Sequence, residues 1–165
     1  MKIIPLSKKY YKKASKLVDS VFFDEDYTPS KELKASLSKK YLKKFQKHHD
    51  SDVLSLKYYI AIDNLKSIIG IIGLYTIKND SKDNIWLGWY CVSPDYRGKK
   101  IGKTLLEFAI EEAKRQGKKY LYLYTSTESK EAVAQKIYDI NNFDIIYIED
   151  MDGYSLLYRK KFLQP

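Results

Sequence analysis

This chain of 165 residues has only one cysteine, two adjacent histidines and four prolines. The lone Cys91 excludes an internal disulfide framework. With only His48 and His49 beside it, no group of residues has the spacing of a zinc site, so no metal is expected. Long apolar runs are missing too. The longest, Ser67 to Ile77, falls short of the ~20 residues that a membrane-spanning helix needs, and no apolar leader with a cleavage site opens the chain. The expectation is a soluble, cytoplasmic protein with no membrane partner. A hydrophobic content of 44%, with 15% aromatics, suffices for a folded core, and no internal repeat, low-complexity linker or domain boundary interrupts it. A single domain over residues 1–165 is expected.

Thirty basic against twenty-one acidic residues give a net charge of +9, which suits a polyanionic partner: nucleic acid, an acidic protein or a phosphorylated cofactor. Much of that charge sits in "KKYYKKASK" and "SKKYLKKFQK". There it reads as solvated helix surface rather than as a nucleic-acid patch.

Periodicity orders the chain. Residues 1 to 6 read as a strand, and Tyr10, Ala14, Leu17, Val18 and Val21 mark one helical face. A second helix is predicted to start near Thr28-Pro29 and to run past Leu33, Leu37, Tyr41, Leu42 and Phe45. The strands "SLKYYIAID", "SIIGIIGLYTI" and "NIWLGWYCV" follow, and Ser93-Pro94-Asp95 stops the last of them. A helix ending at Gly117, the strand "KKYLYLYT", a helix over 129–140 and the pair "FDIIYIED" and "YSLLYRKKF", turned by Asp152-Gly153, complete the chain. The order β-α-α-β-β-β-α-β-α-β-β predicts an α/β fold with a mixed α+β sheet.

The most informative stretch is "YRGKKIGKTLLEF", residues 96 to 108. Glycines and lysines open a helix whose unpaired N–H groups and dipole favour an anion. It nearly matches the P-loop pattern G-x-x-x-x-G-K-S/T, but only three residues separate Gly98 from Gly102 where the nucleotide loop needs four. No Mg²⁺-binding carboxylate ends "LYLYT", and Glu149-Asp150 ends a hairpin strand instead. ATP is therefore disfavoured as the owner of the phosphate.

"WYCVSPDYRGKKIGKTLLEFAIEEAKRQG" resembles the acetyl-CoA-binding segment of the GNAT family of N-acetyltransferases, with its pattern Q/R-x-x-G-x-G/A between strand and helix. Arg97 takes the first position, Gly102 the last, and Lys100 replaces the middle glycine. Downstream, "EAVAQKIYDINNF" is similar to the family's N-x-x-A-x-x-x-Y-x-x-x-G-F: Ala134, Tyr138 and Phe143 match, Glu131 stands for the Asn and Asn142 for the Gly. Motif-level similarity covers about residues 85 to 143.

The resemblance implies a GNAT fold and acetyl-CoA as acyl donor, without a metal. The pantetheine arm would meet the backbone of Tyr90, Cys91 and Val92 at a bulged strand, where an N–H could also stabilise the oxyanion formed at the thioester. The pyrophosphate would sit on Arg97, Gly98, Lys99, Lys100, Ile101, Gly102 and Lys103, with Glu131 beside the cofactor. Tyr138 matches the family's general acid for the leaving thiolate. No acid lies on "IWLGWYCV", so the base stays open among Asp83, Glu25 and a water chain. Cys91 as a ping-pong nucleophile weighs less than Cys91 as a small buried residue. In the family, the loop between the first two helices and the final hairpin border the acceptor. The acidic "DEDY" at 24–27 and "EDMD" at 149–152 suggest a cationic amine there, and helix-end and turn chemistry explains the same acids equally well. Trp86 and Trp89 could supply an aromatic wall or simply core. The implied function is transfer of an acetyl group to a primary amine on a small molecule by direct attack on the thioester. The alternatives are a noncatalytic acyl-CoA sensor and a basic nucleic-acid-binding module, and a homodimer stays open.

Overall fold

The computed structural model describes residues 1–22 and 27–163. Its strands form one sheet, ordered Lys2–Pro5, Val53–Ile62, Ile68–Ile77, Asn84–Leu87, Tyr120–Ser126, Ser155–Phe162 and Asp144–Asp150, with Cys91–Val92 also paired to Ile68–Ile77. The first half is a meander: β1 (Lys2–Pro5), β2 (Val53–Ile62) and β3 (Ile68–Ile77) pair antiparallel. In β2 the side chains of Leu56, Tyr58, Ile60 and Ile62 enter one core and those of Tyr59 and Ala61 the other. That is the two-residue period of a strand buried on both faces.

The first core lies under α1 (Lys8–Val21) and two further helices. One helix was predicted from Thr28 onward; the chain forms two, α2 (Ser30–Ala35) and α3 (Lys39–His49). The serines between them explain the break. Ser36 Oγ donates back to Leu33 O at 2.7 Å, and Ser38, extended, accepts the Tyr41 N–H at 3.3 Å as a cap. Such local bonds compete with the helical ladder.

The predicted strand 84–92 is also divided, into β4 (Asn84–Leu87) and β5 (Cys91–Val92), with Gly88, Trp89 and Tyr90 between. The second core lies under α4 (Ile101–Arg115) and α5 (Ala132–Ile140), the latter entered through a 3-10 turn at Ser129–Glu131. Gly117 follows α4 at φ +71°, the left-handed geometry that ends a helix. Between the two helices runs β6 (Tyr120–Ser126), parallel to β4 and antiparallel to β8 (Ser155–Phe162), which pairs at the edge with β7 (Asp144–Asp150).

Candidate active site

The sheet opens at its centre. Gly88 N–H still reaches Gly73 O at 2.8 Å and Cys91 is in register with Ile71, so Trp89 and Tyr90 together face the single residue Ile72. This is a β-bulge, and it turns the chain away from β6. On the other side, β6 pairs with β4 only from Tyr120 to Tyr122, while its pairing with β8 continues to Ser126. The gap widens into a cleft of about 810 Å³, lined by Tyr90, Cys91 and Val92 on one wall and by Leu123 to Ser126 on the other. Of the three predicted bulge residues, Tyr90 keeps an N–H with no acceptor among the described residues.

The phosphate loop closes one end of this cleft. Arg97 N–H is taken by Pro94 O, but the amides of Gly98, Lys99, Lys100, Ile101, Gly102 and Lys103 meet no backbone acceptor among the described residues. Three of these amides belong to the unpaired first turn of α4, where the helix dipole adds to their attraction for an anion. Gly98 lies at φ +76°, and Lys100 at φ +60°, ψ 8°. Lys100 thus keeps the left-handed backbone that the family's glycine would supply, although a side chain there costs about 1–2 kcal/mol. Gly102 is needed for a different reason: a Cβ would come 2.8 Å from Tyr90 Oη. The residues present fit a diphosphate followed by an extended arm.

Tyr138 stands on α5 beside Tyr90, with ring centroids 6.4 Å apart, and lines the same cleft while only 5% exposed. Its hydroxyl has no hydrogen-bond partner among the described residues. Burial pushes its pKa well up, the neighbouring Tyr90 adds to this, and the Arg159 charge opposes it. Glu131, predicted to face the cofactor, lies in the cleft wall, but its carboxylate is already engaged. It accepts from Ser126 N–H and Ser126 Oγ, both at 3.0 Å, and from the Thr125 hydroxyl, capping the free end of β6. A carboxylate has no proton to offer in place of the amide of the family's Asn.

At the other end of the cleft is a carboxylate that sequence reasoning missed. Glu32 Oε1 accepts from Tyr27 Oη at 2.7 Å and Glu32 Oε2 from Tyr58 Oη at 3.0 Å. The Tyr58 oxygen in turn accepts the Trp89 N–H of the bulge at 3.3 Å. Phe22 and Tyr27 pack against the Trp89 ring, with centroids at 4.9 and 6.3 Å, and Phe22 and Trp89 line the cleft together with this carboxylate. The available signals were faint: Glu32 is the first acid of a short helix, and Gly73 and Gly88 hint at a close approach.

The sequence matches the acetyltransferase (GNAT) family over residues 21–141. The chain belongs to that family. No sequence match is found among curated proteins. Among solved structures, it is similar to a GNAT-family acetyltransferase of Desulfovibrio desulfuricans, with 13% identity, 99% of each chain covered and a TM-score of 0.73. A GNAT-family acetyltransferase of Staphylococcus aureus is 24% identical over 99% of each chain, with a TM-score of 0.69. An aminoglycoside 6'-N-acetyltransferase complexed with coenzyme A is 15% identical over 100% of this chain and 98% of that one, with a TM-score of 0.68. At such identities the likeness is one of fold.

Within this GNAT acetyltransferase several expected site residues lie elsewhere. Asp83, a candidate base, immediately precedes β4 at the end away from the bulge and pairs with Lys119 at 2.8 Å. Glu25, with Asp24 and Asp26, falls outside the described residues. Glu149 accepts from Tyr158 Oη and Asp150 from Ser155 Oγ, both at 2.9 Å, and neither lines the cleft, so the acidic hairpin does not border it. Trp86 donates to Asp80 Oδ2 at 2.9 Å outside the cleft, whereas Trp89 is part of its wall. Cys91 is in the cleft, but burial pushes its thiol up to about 12, leaving almost no thiolate at neutral pH. Arg97, Gly98, Lys100, Ile101, Gly102 and Lys103 all line the cleft; Lys99 turns back instead, with its ammonium 4.9 Å from the Tyr96 ring centroid.

Proposed function

We propose that this enzyme transfers an acetyl group from acetyl-CoA to a cationic primary amine on a small molecule, by direct attack of the amine on the thioester. The observation that carries this reading is the position of Glu32. A carboxylate held by two phenols shares one cleft with the rings of Phe22 and Trp89 and with a row of amides that meet no backbone acceptor among the described residues. A carboxylate accepting from two phenols offers oxygen acceptors to an ammonium, and aromatic faces attract cations by about 0.5–2 kcal/mol, so the two together suit a cationic group. The acyl donor supplies the thioester. The loop amides from Gly98 to Lys103 hold its pyrophosphate, and the Tyr90 N–H serves as the oxyanion donor. The attacking nitrogen enters as the free amine; as the C–N bond forms and the C–S bond breaks, Tyr138 gives its proton to the departing sulfur, and the proton lost by the nitrogen passes to solvent, from which Tyr138 is reprotonated.

A thiol-release assay over a panel of diamines, aminoglycosides and acidic amino acids tests the acceptor class. Cationic acceptors should have the higher kcat/KM, and Glu32→Gln should erase the preference; a preference for acidic amines would overturn the reading. Thermal shift tests the donor. Acetyl-CoA at 100 times its Kd should add about 2.7 kcal/mol of stability, whereas ATP with Mg²⁺ should add none. A noncatalytic acyl-CoA sensor would show the shift without thiol release. No observation favours it over the enzyme, because Tyr138 lines the cleft and its hydroxyl has no partner among the described residues.

A further inference from the structure

The first half of the chain carries a charge pattern that acetyl transfer does not use. Ser7 to Lys16 and Ser38 to Lys47 share one ten-residue pattern, S-K-K-Y-x-K-K-x-x-K, too short to register as a domain-scale repeat. Each copy starts at the serine that precedes its helix, α1 or α3, so the two copies are set in the same helical phase. In α1 the lysines Lys8, Lys9, Lys12, Lys13 and Lys16 span about 140° of the helix circumference at 100° per residue. The same offsets recur from Lys39 to Lys47. All ten are exposed, while Ala14 and Val18 of α1 and Leu42 and Phe45 of α3 turn inward to the core. Between the two stripes α2 packs against both helices and adds the exposed Lys31 and Lys34.

Among the described residues this charge is uncompensated. No lysine of either stripe forms an ion pair with a carboxylate among the described residues. The described acids of the layer have other duties: Asp19 accepts the Ser30 N–H at 2.9 Å, Glu32 faces the cleft, and Asp50 ends α3 in left-handed geometry.

We infer that the α1–α3 layer is a docking surface for the phosphodiester backbone of nucleic acid, without sequence preference. The first argument is charge density. Each stripe places five lysines along about 12 Å of helix axis, at 1.5 Å per residue, or about one per 3 Å. One strand of a duplex carries one phosphate per about 3.4 Å. The second is composition. The fourth residue of each pattern is a tyrosine, Tyr10 or Tyr41, half-buried with a lysine ammonium 5.4 or 5.6 Å from its ring centroid. Aromatic rings set among cations are what nucleic-acid surfaces combine. A membrane surface fits less well, because the apolar sides of α1 and α3 are spent on the core and leave nothing to insert.

Fluorescence anisotropy of the full chain with labelled 25-base-pair duplex and single-stranded oligonucleotides, titrated with salt, tests the inference. Binding should weaken roughly 500-fold between 50 and 200 mM salt if five phosphates are neutralised, from a slope of about −0.9 per phosphate. Replacing the α1 stripe, Lys8, Lys9, Lys12, Lys13 and Lys16, by Gln should remove most of the affinity and leave kcat/KM for acetyl transfer unchanged. If that variant fails to fold, Lys12→Gln with Lys43→Gln should still lower the slope by about 2. No binding at 50 mM salt, affinity indifferent to these replacements, or tighter binding to vesicles containing phosphatidylserine than to either oligonucleotide would each overturn it.

Discussion

Tyr58 Oη donates to Glu32 Oε2 at 3.0 Å, tying the middle of the sheet to α2 at the end of the cleft opposite the phosphate loop. The same oxygen accepts the Trp89 N–H of the bulge, so one phenol joins the carboxylate to the strand that opens the sheet. Its ring passes over Gly73 and Gly88. A Cβ on Gly73 would collide with the ring edge, and one on Gly88 would lie 2.9 Å from the hydroxyl. Two glycines on neighbouring strands thus make the slot that delivers this hydroxyl.

Tyr58→Phe should therefore impair acceptor binding. It removes a donor from Glu32 and orphans the Trp89 N–H inside the protein, a loss of about 1–3 kcal/mol. Urea denaturation should show that loss, and steady-state kinetics should show a raised KM for a cationic acceptor with KM for acetyl-CoA little changed. Unchanged acceptor KM would mean that Glu32 needs no help from Tyr58.

Gly73→Ala should destabilise by about 1–3 kcal/mol, because the added methyl overpacks the Tyr58 ring. Combined with Tyr58→Ala, much of that cost should vanish, since the obstructing ring is gone. A double-mutant cycle that is additive within about 0.5 kcal/mol would show that the slot is not what Gly73 provides.

Tyr138→Phe should lower kcat by about 10²–10⁴, the usual worth of a positioned proton donor, while thermal shift with acetyl-CoA stays the same. Burial raises the phenol pKa, so the group stays protonated through the range where a free tyrosine ionises, near 10. The alkaline side of the wild-type kcat profile should accordingly show no fall from Tyr138 below pH 10. Equal turnover in the Phe variant would remove it from the mechanism.

How much was legible depends on how local the chemistry is. Arg97 to Lys103 and Tyr138 could be proposed from the sequence because a loop entering a helix, and one face of a helix, are short stretches whose spacing a family pattern preserves. Glu32 was invisible for the opposite reason: its partner Tyr58 comes from β2, 26 residues on, and nothing local announces the meeting. The acidic hairpin misled because turn acids and site acids share one composition, and Glu149 serves Tyr158 instead. The predicted second helix ran too far because apolar periodicity continues through Leu37, whereas the hydroxyls of Ser36 and Ser38 break the backbone ladder.

Cys91 gives the pH prediction. Its thiol is pushed from 9.0 up to about 12 by burial, so between these values the folded chain keeps a proton that the unfolded chain releases. Protons bound more tightly in the folded state mean that stability falls as pH rises. The contribution is intact below pH 9 and is lost progressively towards pH 12. Melting curves of Cys91→Ala should fall less steeply over that range, with most of kcat retained. Loss of turnover, or an acetyl adduct on Cys91 by intact-mass spectrometry, would instead support a ping-pong route.

Lys100→Gly separates geometry from grip in the phosphate loop. Lys100 holds φ +60°, where a side chain is strained by about 1–2 kcal/mol. Glycine relieves that strain but gives back part of the gain through the entropy of the unfolded chain, leaving a net stabilisation of roughly 1 kcal/mol. For a chain of this size, that raises Tm by about 2–4 °C. The substitution also removes an ammonium from the cleft lining, so KM for acetyl-CoA should rise and become less sensitive to salt. A higher Tm with an unchanged KM would mean that Lys100 only tolerates the glycine conformation. A higher Tm with a weaker, less salt-dependent KM would mean that the lysine is kept at a cost in stability because it holds the phosphate.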